Sequence, residues 1–201
     1  MMGQTIISSD GLIRCRWCAQ TDNFIPYHDK EWGIPVKDDQ QLFEKLCLES
    51  FQSGLSWRTI LAKRENFRQA FAQFDFNQVA LFGGKDIVRL MADEGIVRHR
   101  GKIEAVINNA QRAIDLIAEW GSLAHFFWRY EEAMNTYLPQ SRTSSNESII
   151  LAKELKNRGW TFLGPTTIFA FIQAMGLIND HAEHCHSRAT VEQARQNFIR
   201  P

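Results

Sequence analysis

The chain has 201 residues, is 44% hydrophobic and carries no formal net charge at pH 7. That length buries a core as one compact domain or two small lobes without disulfide staples, and the zero net charge excludes a long-range basic field, so any nucleic-acid contact must rest on local charge. No run approaches the roughly 18 apolar residues of a membrane span, and no basic segment followed by an apolar run opens the chain. We therefore expect a cytoplasmic protein with reduced cysteines and no membrane partner.

Helical periodicity dominates and strand-like alternation is scarce, which predicts an all-α chain. The segment from Arg14 to Gly33 has little regular pattern but gathers Trp17, Tyr27 and Trp32. A helix over residues 38–53 follows, opened by Asp38 and Gln41 in a capping-box-like spacing and stopped by Gly54, with Leu42, Phe43, Leu46 and Cys47 as its apolar stripe. Cys47 on that stripe reads as a core thiol. Further helices are predicted over 56–71, 85–92 and 99–119. The last carries Ile103, Val106, Ile107, Ala110, Ile114 and Ile117 on one face. Residues 131–145 read as a long polar connection, 146–157 and 166–175 as two more helices stopped by Gly159 and Gly176, and the tail after Ser187 as polar and poorly determined.

Cys15 and His28 near the start, with His181 and Cys185 near the end, supply two thiolates and two imidazoles. These are the ligand types and number of a closed structural zinc site, and the i, i+4 spacing of His181 and Cys185 puts both on one face of a helical turn. Such an ion would restrain both chain ends. Cys18, His184 and His186 are competing ligands, and unrelated cysteines and histidines are the alternative.

Glu49 lies seven residues past Leu42 and three past Leu46, on the apolar face of its helix. A carboxylate buried there either pairs with an arginine in a structural salt bridge or, facing aromatic rings, receives a flat cation by hydrogen bonding and cation–π attraction. In the Gly54-Leu55-Ser56-Trp57 turn that follows, Leu55 is either ordinary packing or a wedge for a base stack. Arg58, Lys63, Arg64 and Arg68 against the single acid Glu65 form one basic cluster. Arg98, Arg100 and Lys102 form another, around Gly101 at a helix start. Bases are disfavoured at that end of a helix unless an anion approaches, which favours a phosphate there over a plain helix–helix turn.

Together, Arg14-Cys15-x-Trp17, Tyr27-His28-Asp29-x-Glu31-Trp32-Gly33, Leu48-Glu49, Gly54-Leu-Ser-Trp57, Lys63-Arg-Glu-Asn66, the run from Gly95 to Ile103 and Gly176-Leu-Ile-Asn-Asp-His181 resemble the 3-methyladenine DNA glycosylase I family. The resemblance covers roughly residues 12–186, expected as the glycosylase domain; residues 1–11 and 187–201 are terminal extensions with no assigned role. It implies a helix-hairpin-helix glycosylase fold that grips DNA through residues 95–102. It also implies one structural zinc on Cys15, His28, His181 and Cys185, and a base pocket from Trp17, Tyr27, Trp32, Glu49 and Trp57, with Leu55 beside Gly54 as the intercalating turn. The implied activity is monofunctional excision of 3-methyladenine from double-stranded alkylated DNA by a monomer, with Glu49 acting in base recognition or in orienting water. Phe51 is bulkier than the family's residue at the pocket rim, and His186 stands where some relatives carry a further cysteine. The rival expectations are a zinc-stabilised DNA-binding module without activity, which has no use for an acid facing aromatics, and an enzyme acting on a free cationic nucleoside, which has no use for the basic hairpin.

Overall fold

The computed structural model describes residues 4–21, 23–132 and 137–201, and these hold eleven α-helices, two 3-10 turns and one small β-hairpin. The chain is mostly helical, as its periodicity predicts. The exception is the antiparallel pair β1 (Thr5–Ile7) and β2 (Ile13–Cys15), with Thr5 opposite Cys15. Three-residue strands are too short to leave an alternation signal. A 3-10 turn at Arg16–Gln20 and helix α1 (Phe24–Lys30) then order the segment that carries no periodicity.

Helix α2 (Asp39–Gln52) is the central element, lying against α3 (Trp57–Ala62), α7 (Arg100–Trp120), α8 (Leu123–Trp128) and α10 (Pro165–Ala174). Asp38 Oδ1 accepts from Gln41 N at 2.8 Å to start it. Gly54, at φ +77°, ends it in a left-handed conformation that suits glycine. Its stripe of Leu42, Phe43, Leu46 and Cys47 is buried, and Phe51 packs on Phe67 with ring centroids 4.6 Å apart. Phe51 is therefore a core residue and takes no part in a pocket rim.

The helix predicted over 56–71 is two helices, α3 and α4 (Arg64–Ala70), broken at Lys63 (φ −100°, ψ 1°). The Lys63 ammonium donates to Glu94 O at 2.8 Å and Gly95 O at 3.1 Å, a tertiary tether that periodicity does not carry. Short α5 (Phe76–Val79) leads to α6 (Gly84–Ala92), and α6 to α7 across residues 93–99. Helix α7 buries Ile103, Val106, Ile107 and Ala110, while Ile114 remains 38% exposed. The described part of 131–145 is without helix or strand, and residues 133–136 lie outside the described residues. Helix α9 (Asn146–Asn157) has the predicted bounds. The polar tail forms α11 (Ser187–Asn197), seated through Val191 and Arg195. Among the described residues, no helix is long and apolar enough to cross a membrane.

Candidate active site and metal centre

Cys15 at the end of β2, His28 on α1, and His181 and Cys185 in the turn before α11 converge with their donor atoms within 4.8 Å of one another, all buried. Cys185 Sγ lies 3.4 Å from His28 Nε2 and 3.5 Å from His181 Nδ1, and Cys15 Sγ lies 3.7 Å from His181 Nδ1. A tetrahedral zinc ion with ordinary Zn–S and Zn–N bonds sets such edges at about 3.5 Å. The donors thus fit that ion.

Their supports agree with the fit. His28 Nδ1 is 2.7 Å from Asp29 Oδ1, and His181 Nε2 is 3.1 Å from Trp32 O, so each imidazole engages an oxygen with one nitrogen and turns the other to the cluster. Arg14 holds Asp29 in turn, with Nη2 to Oδ2 at 2.8 Å. Gln140 Nε2 donates to Cys15 Sγ at 3.0 Å, and the Cys15 thiol beside it holds the Cys185 thiol well below its ordinary range. Cys18 is buried outside the cluster; His184 and His186 are exposed.

Trp17, Tyr27, Trp32, Glu49 and Trp57 line one cavity of about 530 Å³. The Cys/His cluster and the cavity share a wall. Trp32 bonds His181 through its carbonyl while its indole packs on Trp17 at 5.1 Å. Trp17 and Trp57 are half-buried, whereas Tyr27 and Trp32 are buried. The Tyr27 and Trp57 centroids are 5.3 Å apart, which is direct contact, so a flat ligand stacks on their outer faces and not between them.

Glu49 is 5% exposed, and its partner is Lys45 one helical turn earlier, Nζ to Oε1 at 2.8 Å. The same ammonium donates to the Tyr27 hydroxyl at 2.6 Å and sits 3.6 Å from the Trp57 ring centroid. Burial pushes the Lys45 ammonium below its ordinary range, with Glu49 acting against it, and burial likewise raises the Tyr27 phenol. The partner of Glu49 is thus this lysine and not the arginine that the sequence raised as one alternative. The i, i+4 spacing on α2 was the available signal.

Leu55 projects 44% exposed from the turn after α2. Around residues 98–102 the basic side chains diverge. Arg98 and Arg100 point outward, with Glu94 at 3.5 Å and Glu104 at 2.8 Å, but Lys102 is buried and donates to Phe51 O at 2.8 Å and Ser53 O at 2.5 Å. The start of α7 is thereby fastened to the turn that carries Leu55. Gly101 faces His99 and Phe162, where an added Cβ would make ordinary contact with a ring atom of each at 3.4 Å.

A family model described as methyladenine glycosylase matches residues 17–189. DNA-3-methyladenine glycosylase 1 of Escherichia coli is 44% identical over 177 residues, 86% of this chain and 95% of that protein. The DNA-3-methyladenine glycosylase of Haemophilus influenzae is 42% identical over 86% of this chain and 96% of its own length. Among solved structures, a 3-methyladenine DNA glycosylase I superposes with a TM-score of 0.82 at 43% identity, covering 86% of this chain and 98% of that one. The Staphylococcus aureus enzyme, solved to explain 3-methyladenine recognition, gives 0.80 at 38% identity over 85% and 95%. A match that spans most of the chain, by sequence and by fold alike, places this protein in the methyladenine glycosylase family.

Proposed function

We propose that the protein is a monofunctional base-excision repair hydrolase that removes 3-methyladenine from alkylated double-stranded DNA. The observation that carries this reading is Glu49, a buried carboxylate on the wall of an aromatic cavity in a chain of this family. A related structure was solved in complex with 3-methyladenine.

Methylation at N3 makes the adenine ring cationic, so its glycosidic bond is already weak and the leaving group needs no protonation. The base turns out of the duplex into the cavity, stacks on Trp17 and the open faces of Tyr27 and Trp57, is flanked by Trp32, and is hydrogen-bonded by Glu49. Water adds to the sugar carbon as the C–N bond breaks. The bond's electron pair goes to the ring, which leaves neutral, and the water's proton passes to solvent. Normal adenine lacks the ionic and cation–π attraction, on the order of 1–3 kcal/mol. Among the described residues no lysine lines this cavity, which supports hydrolysis without Schiff-base chemistry.

Leu55, with Gly54 beside it, fills the gap left in the stack. Residues 95–102 act as the helix-hairpin-helix grip, with Arg98, Arg100 and the Gly101 backbone at the start of α7 meeting phosphate, and Lys102 bracing the Leu55 turn from within. Cys15, His28, His181 and Cys185 hold one zinc ion, which when bound supplies a structural cross-link between the two ends of the chain. Residues 12–186 form the catalytic unit of a cytoplasmic monomer.

The test is single-turnover release of 3-methyladenine from a methylated duplex by the wild type and by Glu49→Gln. We expect the variant to be slower by about 10- to 100-fold, the equivalent of one lost hydrogen bond to a charged group. Equal rates would remove Glu49 from the reading.

A further inference from the structure

We infer that Lys45 is a specificity-determining residue that acts on the base pocket from behind its wall: its ammonium already pairs with Glu49, Tyr27 and Trp57, and so weakens the preference for a charged base over a neutral one. The inference rests on the pocket reading above. A carboxylate and electron-rich aromatic faces are the groups able to read the positive charge of a methylated ring. Here both already face a cation, with Nζ 2.8 Å from Glu49 Oε1, 2.6 Å from the Tyr27 hydroxyl, and 3.6 Å and 4.8 Å from the Trp57 and Tyr27 centroids.

A cationic base entering the cavity beside Glu49 therefore meets a neutralised pair instead of a free carboxylate, and it is repelled by a second positive charge at close range. A neutral base meets no such repulsion and keeps its stacking and hydrogen bonds. The lysine is buried, so water screens little of this effect. Lys45 does not line the cavity that holds Glu49; it reaches the carboxylate from the neighbouring side of the Tyr27–Trp57 wall, so its removal leaves the stacking surfaces in place.

The experiment uses the full-length, zinc-loaded protein and quenching of tryptophan fluorescence to measure Kd for 3,9-dimethyladeninium, a permanent cation, and for 9-methyladenine, its neutral counterpart. Lys45→Met and Lys45→Gln are compared with the wild type, the glutamine keeping a hydrogen-bond donor for Glu49 and Tyr27 should the methionine variant fail to fold. The preference for the cation is expected to rise about tenfold in the folded variants. A preference unchanged within about twofold, or reduced, overturns the role of Lys45. A wild type that releases no base from methylated DNA overturns the underlying pocket reading as well, so the two failures are distinguishable.

Discussion

At Gly176 the backbone has φ +79°, and an added Cβ would sit 2.6 Å from Pro35 N and 2.7 Å from Gly33 O. Both obstacles are backbone atoms of the segment behind Trp32, so neither yields cheaply. Gly176→Ala is expected to cost on the order of 3 kcal/mol, read as a lower urea midpoint; an unchanged midpoint contradicts the close approach. The basic residues near residue 100 separate by the same logic. Lys102→Met strands the carbonyls of Phe51 and Ser53 and is expected to cost about 1–3 kcal/mol of stability. Arg98→Ala and Arg100→Ala, both at the surface, should leave stability within about 0.5 kcal/mol and each lower the salt slope of DNA binding by about one. Stability and salt titrations that rank the three alike would refute this division.

Among the elements, those with two or more turns and an apolar stripe were legible from the chain: α2, α6, α7, α9 and α10 fall within a residue or so of their predicted spans. Helices α1, α5 and α8 are too short to show a period. Helix α11 was missed for another reason. Its seat is mostly polar, with Arg195 donating to Gly176 O, to Glu132 O at 3.2 Å and to Glu131 at 3.1 Å, and the one apolar residue it buries, Val191, makes no periodic stripe. Arg195→Ala is expected to destabilise by on the order of 3 kcal/mol, seen in thermal or urea unfolding. A loss near zero would mean that the tail is not part of the core. The site divides similarly. The ligand types and the acid on the apolar face of α2 were visible in the sequence, but the convergence of Cys15 with Cys185, and of Tyr27 and Trp57 on Lys45, depends on contacts between distant segments.

Over the whole molecule, the Cys/His cluster joins β2 and α1 to the segment before α11 and bonds the carbonyl of Trp32, a residue of the aromatic cavity. Stripping the metal with a chelator should therefore lower the melting temperature by roughly 10 °C, as a loss of a few kcal/mol does in a domain of this size, and slow base release together with it. A melting temperature indifferent to chelation would argue against a bound ion. Incubating the purified protein with methylated DNA and identifying the released bases by chromatography tests the glycosylase activity itself. 3-Methyladenine is expected as the main product, with the DNA strand left uncut at the abasic sugar until alkali is added. No released base from well-folded protein would contradict it and leave a helical DNA-binding module in its place.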